Sequence, residues 1–290
     1  MTRASYRILE QIPPALAPIL AEMESLIQEP AEVFAPWPNQ SSWVGRSARH
    51  FFYLADDDRG RARILLEARR LAWALDSGIP APRVEGLSPD GAWVVTERVP
   101  DDLPAGPGFV QAALTTADAV ATAVPPPELL AGSKPRRPPR HTVPLRLLRM
   151  AASPVSVREF RSARRLAMAL PPDTLAHGDF HSGNVLYDSR LGVARVTDME
   201  NLAFAPRGTD PLTLWCGLDQ AEDRDAVIDR LLAGSVRAER ARLGLLHHWL
   251  ALRTLADVAL ETPSLRDARM TAEAIDRVQE ARAHARAWTA

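Results

Sequence analysis

Eight consecutive residues, His177-Gly178-Asp179-Phe180-His181-Ser182-Gly183-Asn184, constrain this chain more than any other stretch. They set an aspartate and an asparagine five residues apart, with two glycines that permit tight or positive-φ backbone. A second aspartate, Asp198, follows fourteen residues after Asn184, at the end of the apolar-rich run Val193-Ala194-Arg195-Val196-Thr197. Phosphoryl transfer to a hydroxyl calls for these side chains. One carboxylate orients the attacking hydroxyl and accepts its proton, while an amide oxygen and a second carboxylate hold a divalent cation on the phosphates. The plain alternative is a polar turn between two strands, with Asp198 in a buried ion pair.

Protein kinases write the same spacing as H-R-D-x-x-x-x-N and follow it with D-F-G. Here Gly178 stands for the arginine, and a second histidine, His181, lies inside the loop. This variant resembles the aminoglycoside phosphotransferase/choline kinase family of small-molecule kinases. Thr197-Asp198-Met199-Glu200 is similar to the family's I-D-W/F-E, and Gly208-Thr209-Asp210-Pro211-Leu212 to its later D-L segment. Upstream, Glu67-Ala68-Arg69-Arg70-Leu71 looks like the family's R-E-A-x-x-L helix, and Ile79-Pro80-Ala81-Pro82 like its V-P-x-P turn. The likeness runs from about residue 60 to about residue 215.

The resemblance implies a mixed α/β (α+β), bilobal, protein-kinase-like fold. Residues 1–99 would form a small N-lobe with a leading helix, an antiparallel sheet and the Glu67 helix. Residues 100–290 would form a mainly helical C-lobe with the catalytic loop at 177–184 and the metal segment at 196–200. The implied activity is ATP- and Mg²⁺-dependent transfer of the γ-phosphoryl group to a hydroxyl of a small molecule. An aminoglycoside-like antibiotic, with a role in resistance, is the leading acceptor, and an amino alcohol, sugar or amino acid stays open. Asp179 would be catalytic, Asn184 and Asp198 would hold the metal, and His177, His181 and Asp210 would support the loop. Glu67, Arg49, Arg46, Ser41, Ser42, Glu97 and Val99 are candidate nucleotide contacts. Glu200, Trp215 and Asp219 are candidate acceptor contacts, each also readable as core or as a solvated helix face.

One departure matters. The third strand should carry a lysine that pairs with Glu67 and grips the phosphates, but His50-Phe51-Phe52-Tyr53-Leu54-Ala55 has none. The chain's single lysine is Lys134. Arg49 and Arg46 are the available substitutes, though a guanidinium forks differently from an ammonium. No Gly-rich phosphate loop precedes them, and Pro38-Asn39-Gln40-Ser41-Ser42 would serve instead. A pseudokinase-like binding or regulatory protein is therefore the rival expectation.

Composition sets outer bounds. A chain of 290 residues with 46% hydrophobic and 24% charged residues has the profile of a globular protein large enough for two lobes. A net charge of −1 gives no global field to attract nucleic acid or an anionic membrane. Cys216 stands alone, which excludes an internal disulfide and fits a reducing cytoplasm. No segment carries the roughly 18 apolar residues of a membrane span, and the oligomeric state stays open.

Periodicity places these residues on elements. Helical spacing is expected over 15–28, followed by strands at 42–46 and 50–55, a helix at 61–77, and strands at 83–87 and 93–99. Val99-Pro100-Asp101-Asp102 would be the hinge that meets adenine. Helices are expected over 107–124 and 157–170, short strands at 185–187 and 194–197, and helices throughout after Asp210. Residues 125–144, rich in proline and arginine, read as an exposed connector.

Overall fold

The run Trp93-Val94-Val95 has no polar residue, although a strand with one wet face alternates. A computed structural model of the chain gives the reason: this strand is covered on both faces. The structure describes residues 8–9, 11–34, 42–99, 105–130, 156–261 and 266–289, with 259–261 and 266–271 described as backbone only. The chain divides into two compact units. One comprises residues 1–104, 111–133 and 183–202, the other 105–110, 134–182 and 203–290.

The first unit is built on a five-stranded antiparallel sheet in the order β1-β2-β3-β5-β4. Its strands are β1 (Glu32–Phe34), β2 (Trp43–Arg46), β3 (His50–Leu54), β4 (Val84–Leu87) and β5 (Trp93–Glu97). Helix α1 (Ala17–Ile27) lays Leu20, Met23 and Ile27 against Phe52, Leu54, Trp93 and Val95 on one face. Helix α2 (Asp58–Asp76) covers the opposite face, where Ile64 and Ala68 meet Ala55 and Val94. Alternate side chains of β5 thus enter two different cores.

Two local details shape this unit. Helix α2 starts three residues before the expected Arg61, because Asp57 caps it by accepting the Gly60 N–H at 2.6 Å. Gly45 of β2 lies opposite Phe52 of β3, and a Cβ there would overlap the Phe52 ring.

Helices α3 (Pro107–Thr122) and α4 (Pro127–Leu130) follow, and a hairpin of β7 (Val185–Asp188) and β8 (Val193–Val196) belongs to the same first unit. The hairpin is tied down by the Val196 N–H on the Pro80 carbonyl, at 2.9 Å, and by the Thr116 hydroxyl on the Ala194 carbonyl, at 2.7 Å.

The second unit is mainly helical. It contains α5 (Val157–Ala167), α6 (Thr209–Gly217), α7 (Ala221–Leu232), α8 (Arg237–Glu261) and α9 (Arg266–Thr289). A short pair, β6 (Thr174–Ala176) with β9 (Ala203–Ala205), was not legible in the sequence, since each strand has only three residues. Helices α8 and α9 run antiparallel and very close, because a Cβ on Gly244 would stand 2.9 Å from Cα of Ala285. Between them the rings of His247, His284 and Trp288 stack, and Trp215 of α6 meets His247 edge-on at 4.2 Å. Among the described residues no helix is long and apolar enough to cross a membrane.

His247 is fully buried, and neither ring nitrogen has a hydrogen-bond partner among the described residues. Burial, with smaller contributions from His284 and His248, pushes its pKa down to about 3. The unfolded chain takes up this proton near pH 6.5. Stability from neutral His247 is therefore full above pH 6.5 and lost as pH falls toward 3, at up to about 1.4 kcal/mol per pH unit. His247→Leu should flatten the acid limb of stability, measured from urea midpoints between pH 4 and 7. Parallel acid limbs in the two proteins would contradict this.

Candidate active site

The first unit brings Asn184 and Asp198 together through the hairpin. Val185 pairs with Val196, so the residues just outside that pair lie side by side at the open end. The Thr197 N–H bonds to the Asn184 carbonyl at 3.0 Å, and Asp198 follows directly. The fourteen-residue spacing is the length of one hairpin. Asp198 has φ +58° and ψ +57°, a left-handed conformation that is costly for a side chain with Cβ. A single 3₁₀ turn, Met199–Asn201, follows it.

Helix α2 grips that turn with two residues three apart. Oε1 of Glu67 accepts the Met199 N–H at 3.0 Å. Arg70, almost fully buried, donates to the Met199 carbonyl at 2.9 Å and twice to the Leu129 carbonyl, at 3.0 and 2.7 Å. The second Glu67 oxygen is buried with no hydrogen-bond partner among the described residues. Burial first, then the charge of Asp198, raises the Glu67 pKa to about 8. Burial lowers that of Arg70, while Glu67 and Glu200 oppose the shift. Glu200 forms an ion pair with Arg63 of α2.

The other expected nucleotide contacts divide. Arg49 and Arg46, the expected substitutes for the missing lysine, are each bound to a carboxylate of the first unit. Arg49 is bound by Glu29, whose carboxylate also accepts from Ser47, and Arg46 by Glu32 at 2.9 Å. Phe51 and Tyr53 project together from β3, edge-to-face at 5.5 Å, and Tyr53 packs with the α2 side of the sheet. Glu97 is tied to Arg195 and accepts the Arg83 N–H at 2.9 Å. Ser42 and Val99 are buried. Ser41, the rest of the 38–41 segment and the hinge residues Pro100–Asp102 lie outside the described residues.

The second unit holds the turn that presents Asp179. Asp210, buried at the start of α6, accepts the N–H groups of His177 at 2.7 Å and Gly178 at 3.0 Å. Burial raises its pKa, opposed by His177 and by these two bonds. Gly178 takes φ +81°, where an L residue would be strained, whereas Gly183 keeps an ordinary φ. The His177 ring, fully buried, accepts the Asp179 N–H through Nδ1 at 3.4 Å and meets Phe180 edge-on. His181 Nε2 lies 3.8 Å from the Asp179 carboxylate, with its pKa lowered by burial and raised by that carboxylate.

The expected acceptor contacts are placed as follows. Trp215 is fully buried beneath Arg224 and against His247, so its faces are taken up by protein. Asp219 is exposed and bound to Arg277 at 3.1 Å. Cys216 is buried, and burial pushes its thiol up to about 11, which makes it inert.

Arg70 is the residue that sequence reading missed. Its signal was an arginine within the apolar spacing Ile64, Ala68, Leu71, Ala74 of α2, and buried arginine is rare unless paired. Arg70→Met should lower stability by about 3 kcal/mol, since two buried carbonyls lose a charged donor. Asp210→Ala strands two backbone donors and should cost about as much. Unfolding in urea measures both, and losses under about 0.5 kcal/mol would contradict these roles.

The fold matches solved phosphotransferases. An aminoglycoside-3′-phosphotransferase of type VIII superposes with a TM-score of 0.51 at 22% identity, covering 83% of this chain and 99% of that one. A choline/ethanolamine kinase family protein from Mesorhizobium loti gives 0.55 at 18% identity, covering 95% and 99%. The streptomycin–ATP–APH(2″)-IIa ternary complex gives 0.56 at 9% identity, covering 93% and 97%. Likeness at these identities concerns the kinase-like fold. No curated protein matches the chain. A model of the phosphotransferase enzyme family matches residues 32–246, well over half of the sequence. With the kinase-like sheet, the helical second unit and the D-x-x-x-x-N loop, this establishes that the chain belongs to the phosphotransferase enzyme family.

Proposed function

We propose that the chain transfers the γ-phosphoryl group of ATP to a hydroxyl of a small molecule, with an aminoglycoside-like antibiotic as the leading acceptor class. The observation that carries this reading is the Asp179 turn, pinned by Asp210 through two buried backbone bonds. A fixed carboxylate is what a reaction governed by positioning requires. The acceptor oxygen attacks the γ-phosphorus, the bond to the β,γ-bridging oxygen breaks, and ADP departs with those electrons. The acceptor proton passes to Asp179. His177 and His181 orient that carboxylate and its backbone.

The first unit supplies oxygen donors suited to Mg²⁺: the Asn184 amide and the Asp198 carboxylate. Among the described residues no group of three or more His, Cys, Asp or Glu side chains is arranged to hold a metal. A cation there depends on phosphate oxygens, as Mg²⁺ sites in kinases commonly do. When bound, Mg²⁺ neutralises charge on the phosphates. Asn184 and Asp198 would hold it.

The acceptor class rests on the family and on neighbours that include aminoglycoside enzymes and a choline/ethanolamine kinase family protein. An amino alcohol, sugar or amino acid is the nearer alternative. Buried Trp215 argues against its serving as an exposed cradle for a quaternary ammonium. A second reading, a binding protein with weak turnover, is favoured by the aromatic pair Phe51 and Tyr53 on the strand that should carry a lysine.

Thermal unfolding with ATP, with and without Mg²⁺, separates the two. Nucleotide at about 100 Kd should stabilise by roughly 2.7 kcal/mol, and only with Mg²⁺. Asp179→Ala should keep that shift and lose roughly 10³-fold or more in kcat, about 4 kcal/mol of barrier, against an aminoglycoside panel. Undiminished turnover in Asp179→Ala would remove Asp179 from this role, and no shift at millimolar ATP would favour the binding protein.

A further inference from the structure

Oε2 of Glu67, a buried carboxylate oxygen of the first unit, has no hydrogen-bond partner among the described residues. Its twin Oε1 accepts the Met199 N–H at 3.0 Å, which fixes the carboxylate beside the turn carrying Asp198. A buried carboxylate oxygen with no donor is costly, and Asp198 acts on Glu67 as a like charge.

Among the described residues no cationic side chain hydrogen-bonds Oε2, although the charge of Arg70 favours ionised Glu67. The chain's one lysine is Lys134, distant in sequence from the strand. Arg49 and Arg46 are held by Glu29 and Glu32. Arg70 turns its guanidinium toward the carbonyls of Leu129 and Met199. The two carboxylates belong to one unit and stand on elements locked together by the Met199 bonds.

We propose that Glu67 is a ligand of the phosphate-bound divalent cation, with Oε2 acting alongside Asp198 and Asn184. This inference rests on the Mg²⁺-nucleotide reading above. In its terms the metal supplies the positive charge opposite the helix carboxylate that a strand lysine would otherwise supply. A hard divalent cation takes one or two carboxylates together with phosphate oxygens, which is the donor set this arrangement leaves for it. The strained φ of Asp198 fits the same picture, since a backbone held in the left-handed region is kept there by its surroundings.

Glu67→Gln tests it. The amide keeps an oxygen for the Met199 N–H and removes only the charge. Mn²⁺ binding in the presence of ADP, followed by the loss of the free-ion EPR signal, should weaken roughly tenfold or more in the variant. Metal-free ADP affinity and the ligand-free unfolding temperature should stay unchanged. Equal Mn²⁺ affinity in the two proteins overturns the proposal and leaves Glu67 as a backbone acceptor. No ADP-dependent Mn²⁺ binding in the unsubstituted protein overturns the Mg²⁺-nucleotide reading itself. If Glu67→Gln lowers the ligand-free unfolding temperature, Glu67→Asp is compared with Glu67→Asn at equal chain length. A ligand role predicts the tighter Mn²⁺ in Glu67→Asp, and equal affinities overturn it.

Discussion

The hydrogen bond from the Met199 N–H to Glu67 Oε1 is the constraint on which the first unit's chemistry depends. It joins α2, a helix buried against the sheet, to a turn that would otherwise end a two-stranded hairpin. Arg70, three residues further along α2, holds the same residue through the Met199 carbonyl and adds the carbonyl of Leu129. Both backbone groups of Met199 are thereby held by side chains of a single helix. Asp198, immediately before it, can then be kept in a conformation that an isolated hairpin would relax.

The second unit uses a parallel device. There a side-chain carboxylate, Asp210, collects backbone N–H groups from the turn that precedes Asp179. A buried carboxylate is tolerable because charge-assisted bonds to amides offset part of its desolvation. In each unit a residue from a packed helix fixes a loop whose own bonding is too sparse to do so. Asp179 and Asp198 can stay polar and partly open because their neighbours, not they, carry the structural demand.

Much of this was legible in the sequence. The β-β-α-β-β order, the Glu67 helix and the hairpin flanking Asp198 followed from periodicity and turn residues, since each is a local pattern. The three-residue strands β6 and β9 were not, because they pair across 27 or more positions and too few residues carry the period-2 signal. The 177–184 loop was legible as chemistry. Its support was read at His177, His181 and Asp210, through family resemblance. Arg70 was hidden because a buried arginine looks like a surface one until the carbonyls it faces are known. The same holds for Arg49 and Arg46, whose acidic partners come from separate elements.

The contact of Gly244 with Ala285 carries a mechanical consequence. Two helices of 25 and 24 residues, each about 36 Å long at 1.5 Å per residue, meet where not even a methyl group fits on the glycine. The stacked rings of His247, His284 and Trp288 fix the axial register near that point. Sliding one helix along the other would drive side chains into a gap that admits only hydrogen. The pair therefore behaves as one beam rather than two rods.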